Sequence, residues 1–259
     1  MKVFVSGGNG FVGKHCCARL KALGFDVVAP SSKELDISKP FKFTQHFDQV
    51  IHLAAYNITS VGDKNEEMYT RVNVEGTRRV IEGAQCDQFI YLSTAKVYDE
   101  KKSAYAQSKV AAEEVCRQYY QGKNLAIIRS VNILGDGQAP KAVLPVFIEK
   151  AERGEPLVLT VDPGTPIAYI DVRDLVEVII KTVGHPGGKK IYNAAYPDSV
   201  TLHELALKVI AACHSSSKIT MTAVRQLVQE PSIDCQNTWD ELKFQPRYDI
   251  DQILGSMIL

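Results

Sequence analysis

A tyrosine and a lysine four residues apart are the first candidates for chemistry in this sequence. Tyr105 and Lys109 follow the pattern Y-x-x-x-K, and that spacing puts both side chains on one face of a helix, one turn apart. An ammonium group beside a phenol lowers the pKa of the phenol, which suits it to donate or accept a proton. Ser93 and Thr94 follow the apolar run 89–92, which predicts two hydroxyl groups at the carboxyl end of a strand. Ligands bind outside such strand ends in parallel sheets, so these residues predict an acid–base site.

Three glycines near the start of the sequence predict a phosphate-binding turn. Gly7, Gly10 and Gly13 stand in the segment Ser-Gly-Gly-Asn-Gly-Phe-Val-Gly. Their spacing permits a tight turn, a close approach of a pyrophosphate and close packing of a helix on a sheet. Free N–H groups and the helix dipole favour phosphate at the following helix N-terminus. We therefore expect a dinucleotide here, in contact with the glycines, Phe11 and Val12. The flanking pattern predicts a strand, a helix and a second strand at residues 2–5, 14–23 and 27–29.

The residues after the second predicted strand bear on which dinucleotide binds. An acidic residue at this point would bond the ribose hydroxyls of NAD, but the sequence has Ser31, Ser32 and Lys33. Two hydroxyls and an ammonium group suit a 2′-phosphate, and Lys14 can add positive charge. We therefore predict that NADP(H) is preferred, with NAD(H) as the alternative cofactor. The other interpretation of these residues is a solvated turn.

The middle of the sequence continues the alternation of strands and helices. His52 lies within an apolar run and is interpreted as a core histidine, while the small residues Ala54 and Ala55 after it leave room for a cofactor. Asp36 is expected to contact the adenine amino group. The pattern predicts a short edge strand at 34–38, strands at 49–53 and 89–92, and helices at 66–84 and 105–121.

The bulk composition excludes several classes of protein. The chain has 259 residues, of which 45% are hydrophobic, and its 30 basic and 30 acidic residues balance to a net charge of zero. This balance predicts no nucleic-acid partner and no anionic membrane surface. No apolar run approaches the roughly 20 residues that cross a bilayer, and the first strand begins at the N-terminus, which argues against a cleaved signal peptide. The six cysteines show no metal-ligand spacing, so we expect no metal and a reduced, cytoplasmic protein.

Several short motifs together resemble one protein family. Gly-Gly-Asn-Gly-Phe-Val-Gly, His-Leu-Ala-Ala, Asn-Val-Glu-Gly-Thr, Ser-Thr-Ala-Lys-Val-Tyr and Tyr-Ala-Gln-Ser-Lys follow one another in that order. In this order the sequence resembles the extended short-chain dehydrogenase/reductases, and within them the nucleotide-sugar epimerase/dehydratase group. Segments 128–135, 169–174 and 242–246 resemble the R-x-x-N-x-x-G, Y-[IV]-x-V-x-D and LGF-x-P signatures of that family. The likeness therefore covers nearly the whole chain.

This resemblance implies an α/β fold, a doubly wound parallel sheet of the Rossmann type. The dinucleotide-binding core is expected over residues 1–130 and a small substrate-binding region over 131–259, with segments around 168–180, notably a strand at 168–170, returning to the core sheet. The resemblance implies Thr94, Tyr105 and Lys109 as catalytic residues, and Thr94, Asn132 and Arg225 as substrate contacts. The implied cofactor contacts are Gly7, Gly10, Phe11, Val12, Gly13, Ser31, Ser32, Lys33, Asp36, Ile37, Leu53, Ala54, Ala55, Asn73, Ser93, Tyr105 and Lys109.

The activity that the resemblance implies is hydride transfer between a nicotinamide and a carbinol or keto carbon of a nucleotide-linked sugar. Ala95 and Lys96 stand where dehydratases of the family carry an acidic pair, which argues against dehydration. Ile167 replaces the family arginine that grips the diphosphate, which weakens the case for a nucleotide-linked substrate; Arg225 is a candidate substitute, with a surface charge as the alternative. The short passage from the second strand to Leu35-Asp36-Ile37, with Ala54-Ala55-Tyr56, resembles dTDP-4-dehydrorhamnose reductases and GDP-fucose synthases more than UDP-glucose 4-epimerase, so we expect a nucleotide-sugar 4-keto reductase. The alternatives are a 4-epimerase with the same three catalytic residues, or a non-catalytic NAD(P)-binding protein.

The family resemblance also implies a homodimer. Its members commonly pair through the helix that carries Tyr105 and through a neighbouring helix. Small and apolar residues on that helix fit such pairing, although a stripe facing the core would look the same. They are Val110, Ala111, Val115 and Tyr119.

Overall fold

The computed structural model describes residues 1–57, 65–121, 124–185, 189–222 and 233–258. The strands in these ranges are β1 (Lys2–Ser6), β2 (Asp26–Val28), β3 (Phe47–His52), β4 (Cys86–Thr94), β5 (Asn124–Ser130), β6 (Asn132–Leu134), β7 (Leu157–Leu159), β8 (Pro166–Asp171), β9 (Lys189–Ala194), β10 (Ser199–Thr201) and β11 (Ile219–Met221). The α-helices are α1 (Phe11–Ala22), α2 (Glu66–Met68), α3 (Glu75–Gly83), α4 (Ala104–Tyr119), α5 (Val143–Glu152), α6 (Val172–Thr182), α7 (Leu202–Ala212), α8 (Gln236–Leu242) and α9 (Ile250–Met257). A π-helical turn spans Tyr69–Val74 and a 3-10 turn spans Ala95–Tyr98.

The chain divides into two compact units. The first comprises Met1–Ser130, Val176–Ala194 and Gln236–Phe244, and the second comprises Val131–Leu175, Ala195–Cys235 and Gln245–Leu259.

A six-stranded parallel sheet forms the centre of the first unit. Its strand order is β2-β1-β3-β4-β5-β9, and every neighbouring pair is parallel. The order reverses between β1 and β3, and ligands of such sheets bind outside the carboxyl ends of the strands at that switch point. The register pairs Ser6 with His52 and Thr94 with Ser130 at those ends. This sheet confirms the predicted doubly wound α/β fold.

The sheet of the first unit is buried because helices cover its faces. Phe4, Phe47 and Phe89 from the strands are fully buried, and they belong to one apolar cluster with Val80 of α3 and Val115 of α4. A parallel sheet needs such cover on both faces, which explains why its strands are runs of apolar residues rather than alternating patterns. Val115, one of the four residues that the sequence suggested for a dimer face, is therefore a core residue. The other three, Val110, Ala111 and Tyr119, are exposed.

The second unit has two small sheets and its own apolar core. β6 pairs with β8 in parallel and β10 pairs with β8 antiparallel, while β7 and β11 form a separate parallel pair. Side chains from α5, α7, α9 and these strands form the core, and they include Leu144, Phe147, Leu157, Tyr169, Leu205, Val209 and Ile253. Capping boxes at Thr201 and Asp249 begin α7 and α9, satisfying backbone N–H groups that a helix start leaves free.

Two predicted elements differ in the structure. The segment 168–170 does not return to the main sheet: it lies in β8, and β9 is the strand that joins β5 instead. The reason is packing, because Tyr169 is buried in the core of the second unit and stacks on Tyr196 with ring centroids 5.2 Å apart. The predicted edge strand at 34–38 is a series of turns. There, side chains of Glu34 and Asp36 accept hydrogen bonds from the nearby backbone N–H groups that a strand would offer to a neighbour.

Candidate active site

The glycine turn after β1 is held where only glycine fits. A Cβ on Gly13 would lie 2.1 Å from the carbonyl oxygen of Gly7, and a Cβ on Gly7, whose φ is +75°, would lie 2.6 Å from the backbone nitrogen of Ala54. A Cβ on Gly8, which the sequence did not single out, would lie 2.7 Å from the Cβ of Ala29. The turn is thus packed against the segments that follow β2 and β3, at the switch point of the sheet.

The start of α1 has the features of a phosphate site. Gly10 is exposed, and a Cβ there would meet only the Gly7 oxygen, at 3.2 Å, so its backbone is open to approach. No side chain caps the helix and no acidic residue stands in its first turn, so its N–H groups and dipole face no competing negative charge from that turn. Phe11 and Val12 begin the helix and are half-buried. The residues present therefore fit a bound dinucleotide.

The loop after β2 differs from its predicted form. Ser31 donates from its backbone nitrogen and its hydroxyl to the carboxylate of Glu34, over 2.7 and 2.8 Å. Ser32 and Lys33 are exposed. The carboxylate of Asp36 accepts the backbone N–H of Ser38 over 2.9 Å. A carboxylate therefore lies beside the hydroxyl to which the sequence assigned a 2′-phosphate.

The residue after Asp36 packs inward. Ile37 is buried, and its side chain would meet a Cβ on Gly76 of α3 at 3.0 Å. On the other side of the switch point, Leu53, Ala54 and Ala55 follow β3 and are half-buried, and the backbone nitrogen of Leu53 donates to the Ser6 oxygen over 3.0 Å. Contacts of Leu53, Ala54 and Ala55 with a cofactor stay a prediction.

His52 is a structural residue of the sheet. It is buried, its Nδ1 lies 2.5 Å from the Ser6 hydroxyl and its Nε2 lies 2.9 Å from the Thr77 hydroxyl. Burial, with a smaller effect of the Lys109 charge, lowers the pKa of His52 to about 3. The ring is therefore neutral at physiological pH and joins β1, β3 and α3.

Asn73 uses its side chain inside the protein. Its Oδ1 accepts the backbone N–H of Tyr56 over 2.7 Å, and its Nδ2 donates to the Tyr56 oxygen over 3.0 Å and to the Ser108 hydroxyl over 2.9 Å. Asn73 lies in the π-helical turn, which interrupts the single long helix predicted over 66–84. Its amide connects the segment after Ala55 to the helix of Tyr105, so it positions this region through contacts within the chain.

Thr94 and Tyr105 come together at the carboxyl end of β4. The Thr94 side chain is buried and accepts the Lys96 backbone N–H over 3.3 Å, and it lies close enough to the Tyr105 hydroxyl to lower the pKa of the phenol. Tyr105 stands in the first turn of α4, which Ser103 caps through the Ala106 N–H over 3.2 Å. The spacing of the cap thus places the phenol at the strand end.

The pKa of Tyr105 moves in the direction opposite to the prediction. Burial, and next the neighbouring Tyr69, raise the pKa of Tyr105 to about 12, while the Thr94 side chain opposes the rise. The ring centroids of Tyr69 and Tyr105 are 6.1 Å apart. Lys109 is not among the groups that shift this pKa, so the expected lowering by its ammonium group is wrong for this structure. The phenol is protonated at neutral pH.

Lys109 is turned toward the strand. It is 2% exposed, its Nζ donates to the Leu92 oxygen over 2.7 Å, and Nζ lies 4.1 Å from the centroid of the Tyr91 ring. Burial lowers the pKa of Lys109 to about 7, and the Glu113 carboxylate opposes this. These contacts explain why its charge does not act on Tyr105, although both residues lie on one helix face.

A buried carboxylate next to the site was missed by the sequence interpretation. Glu113 is 1% exposed and accepts Ser93 Oγ over 2.6 Å, Arg129 Nε over 2.9 Å, and Nη2 of both Arg129 and Arg117 over 2.5 Å. Ser93, which was predicted as a cofactor contact, thus donates its hydroxyl proton to Glu113. A usable signal was present, because Glu113 follows Lys109 by four residues and shares its helix face.

Of the predicted substrate contacts other than Thr94, the structure describes only Asn132. Asn132 belongs to β6 of the second unit, where its Nδ2 donates to the Ala168 oxygen over 2.8 Å. Arg225 lies outside the described residues. Within the ranges that the structure describes, no group of His, Cys, Asp or Glu could hold a metal ion. No helix in those ranges is long and apolar enough to span a membrane.

Comparisons with known proteins show the family and the fold of this chain. The profile of the "NAD dependent epimerase/dehydratase family" matches residues 3–195, about three quarters of the chain. A UDP-N-acetyl-alpha-D-glucosaminuronate decarboxylase of Bacillus cytotoxicus is 27% identical, over 84% of this chain and 82% of its own. A GDP-6-deoxy-D-mannose reductase of Pseudomonas aeruginosa is 25% identical, over 79% and 77%. The structure of RMD from Pseudomonas aeruginosa complexed with NADPH superposes with a TM-score of 0.87 at 22% identity, over 98% and 96%, which shows a common fold.

Proposed function

The chain belongs to the NAD dependent epimerase/dehydratase family, and we propose that it is a nicotinamide-dependent oxidoreductase that acts on a keto or carbinol carbon of a sugar. The most specific form of the proposal is a nucleotide-sugar 4-keto reductase. The observation that carries it is the placement of Thr94, which ends β4, beside Tyr105 in the first turn of α4, close enough to lower the pKa of the phenol. Lys109 lies on the same helix, one turn along.

The glycine turn and the start of α1 would hold the dinucleotide. Gly7, Gly8 and Gly13 permit the close packing there, and the open backbone of Gly10 and the uncapped helix start suit its pyrophosphate. When bound, the nicotinamide supplies or accepts the hydride. Lys109 is proposed to bond the nicotinamide ribose, for which it would leave the Leu92 oxygen.

Tyr105 would supply the proton. Its pKa of about 12 keeps the phenol protonated at neutral pH, which is the state needed to protonate an alkoxide that forms as a carbonyl is reduced. Thr94 would orient the substrate oxygen by hydrogen bonding. A protonated phenol favours the reductive direction, and this is why a reductase is preferred to an epimerase, in which the same group must also act as a base.

The residues after Thr94 argue against elimination chemistry. Ala95 and Lys96 offer no carboxylate at the positions where dehydratases of the family carry an acidic pair, and proton abstraction from carbon needs a base. A nucleotide-linked sugar is proposed as the substrate because relatives of the chain are named for such compounds. Asn132 and Arg225 are its proposed contacts.

The proposal also covers the location, the oligomeric state and the coenzyme preference of the protein. A cytoplasmic homodimer is proposed, paired through α4, on which Val110, Ala111 and Tyr119 are exposed. The coenzyme preference turns on residues 31–34: Ser31, Ser32 and Lys33 favour NADP(H), whereas the carboxylate of Glu34 opposes it.

A direct assay tests the function. Purified protein is mixed with NADH or NADPH and with UDP-, GDP- or dTDP-linked 4-keto sugars, and the absorbance at 340 nm is followed. The proposal expects coenzyme oxidation with at least one of these substrates and formation of the corresponding 4-hydroxy sugar. Binding of the dinucleotide without turnover of any substrate, together with isomerisation of a 4-hydroxy sugar, would favour the epimerase. Binding alone would favour the non-catalytic alternative.

A further inference from the structure

The carboxylate of Glu34 occupies the donors at the end of β2. Glu34 Oε2 accepts both the backbone N–H of Ser31, over 2.7 Å, and the Ser31 hydroxyl, over 2.8 Å. These two hydrogen bonds lower the pKa of Glu34 below its ordinary value, so the group is ionised at physiological pH. The negative charge of Glu34 therefore lies against Ser31, the first polar residue after β2.

The charge of Glu34 lies at the end of β2, where the adenosine ribose of a coenzyme is expected. Ser31 follows β2 by three residues, and Ala29 between them lies so close to the glycine turn that a Cβ on Gly8 would be 2.7 Å from its own Cβ. In dinucleotide-binding folds the carboxyl end of this strand meets the adenosine ribose. The sequence has no acidic residue directly after the strand, but the turn at residues 31–34 places the carboxylate of Glu34 beside Ser31.

We propose that Glu34 selects the coenzyme: its carboxylate accepts a ribose 2′-hydroxyl and repels a 2′-phosphate, so that the site favours NAD(H) over NADP(H). A 2′-phosphate would need the two Ser31 donors that Glu34 holds, and it would bring up to two further negative charges beside an ionised carboxylate. Glu34 and the nearby cation Lys33 are both exposed, so solvent screens both charges, but two hydrogen bonds hold the carboxylate at the Ser31 donors. This inference rests on the proposed coenzyme-dependent function, and it opposes the NADP(H) preference predicted from Ser31, Ser32 and Lys33.

The same contact also stabilises a turn, and a conservative variant separates the two roles. Glu34→Gln keeps a side-chain oxygen that can accept both Ser31 donors but removes the charge. The chain offers a matched control in the second unit, where Glu204 Oε2 accepts the Thr201 N–H over 2.7 Å and the Thr201 hydroxyl over 2.9 Å. Glu204→Gln makes the same chemical change outside the unit that holds the glycine turn.

The experiment measures dissociation constants of NAD⁺ and NADP⁺ by calorimetry for the full-length wild type, Glu34→Gln and Glu204→Gln at low salt. We expect the wild type to bind NAD⁺ more tightly than NADP⁺, and Glu34→Gln to shift the ratio of the two constants at least tenfold toward NADP⁺, a shift that 0.5 M salt reduces. Glu204→Gln should keep the wild-type ratio.

The possible failures are distinct. A wild type that binds both dinucleotides with a ratio that Glu34→Gln changes less than twofold would overturn the inference and leave the proposed function intact. A wild type that prefers NADP⁺ would also overturn it. Protein that is folded by circular dichroism but binds neither dinucleotide in any of the three forms would overturn the proposed function and the inference together.

Discussion

Ser93 Oγ donates a 2.6 Å hydrogen bond to Glu113 Oε1, and this bond joins the end of β4 to the middle of α4. Thr94 is the next residue on that strand, and Tyr105 and Lys109 precede Glu113 on that helix. Two guanidinium groups, from Arg129 and Arg117, neutralise the buried carboxylate. The contact therefore fixes the strand and the helix whose side chains must meet for the proposed proton transfer.

Replacing Glu113 with Gln should destabilise the protein. The amide leaves the partly buried charge of Arg129 without its counter-ion, and breaking a buried ion pair by removing one partner costs about 3–5 kcal/mol. We expect about 3 kcal/mol, since Arg117 is partly exposed to water. Urea unfolding measures this, with Glu114→Gln as the control: Glu114 is exposed on the same helix and should change the free energy of unfolding by less than about 0.5 kcal/mol.

The pH dependence of the Glu113 variant follows from its pKa. Burial acts to raise the pKa of Glu113, but hydrogen bonds from Arg129 and Ser93 outweigh it and lower the pKa below 4.5. A lowered carboxylate pKa contributes stability above its unfolded value, and that contribution is lost as the pH falls through the folded value. The gap in unfolding free energy between wild type and Glu113→Gln should therefore narrow below pH 4.5. A gap that widens in acid would contradict the ion-pair account.

His52 should make the fold sensitive to mild acid. Its pKa is lowered from 6.5 to about 3, so between these values the unfolded chain binds a proton that the folded chain does not. Unfolding is then favoured as the pH falls, by up to about 1.4 kcal/mol per pH unit from this residue. NMR of the His52 ring should show the neutral form at pH 5 in folded protein. A titration midpoint near 6.5 with the fold intact would rule this out.

Two helical glycines should respond to alanine in opposite ways. A Cβ on Gly13 would lie 2.1 Å from a backbone oxygen, whereas a Cβ on Gly255 of α9 would meet no atom within 4 Å. Gly13→Ala must displace backbone. We expect it to lower the free energy of unfolding by at least about 3 kcal/mol and to abolish dinucleotide binding. Gly255→Ala should be neutral or stabilise by up to about 1 kcal/mol, because alanine is the better helix former. Thermal unfolding with and without NAD⁺ compares them; equal effects would contradict the packing of the turn.

What the sequence could predict was governed by local rules. The glycine turn and the pair Tyr105 and Lys109 depend on spacing along one strand, one turn or one helix, and they were found where the pattern placed them. The pairing of β8 could not be predicted from the sequence, because its apolar residues would fit the main sheet or a small sheet equally well. Only the core that surrounds Tyr169 in the second unit shows which sheet β8 joins. Glu34 and Glu113 were missed for a related reason: each acts through the partner that it reaches in space, and a charged residue in a sequence is most often a solvated one.

The direction of the Tyr105 pKa shift shows the same limit. Helical spacing predicted that Lys109 would lower it, since both residues share one face of α4. Side chains on one face can still turn to different partners, and the Leu92 oxygen and the Tyr91 ring hold the ammonium group. Burial then dominates the pKa of the phenol. A shared face is therefore a weaker constraint than a hydrogen bond.

Replacing Tyr105 with Phe should remove most turnover and leave the coenzyme bound. The variant deletes only the hydroxyl, whose pKa Thr94 influences, and the ring can still pack beside Tyr69. Loss of a general acid typically costs about 10²–10⁴-fold in rate, and we expect kcat to fall by that factor while the dissociation constant of the coenzyme changes less than threefold. Thr94→Val should lower kcat more than coenzyme affinity, and Lys109→Met should lower both.

The control for this experiment is Tyr119→Phe, which deletes an exposed phenol at the other end of the same helix and should keep wild-type kcat. The assay follows oxidation of NADH or NADPH with the substrate that the screen identifies, from pH 6 to pH 10. Because the phenol stays protonated until the pH approaches 12, the Tyr105 acid form should not limit kcat over this range. A fall in kcat that begins near pH 7 would report another group, with Lys109 as the first candidate because its pKa is near 7. If Tyr105→Phe kept more than about half of the wild-type kcat, the proton would have to come from a different donor, and the placement of Tyr105 beside Thr94 would be structural only.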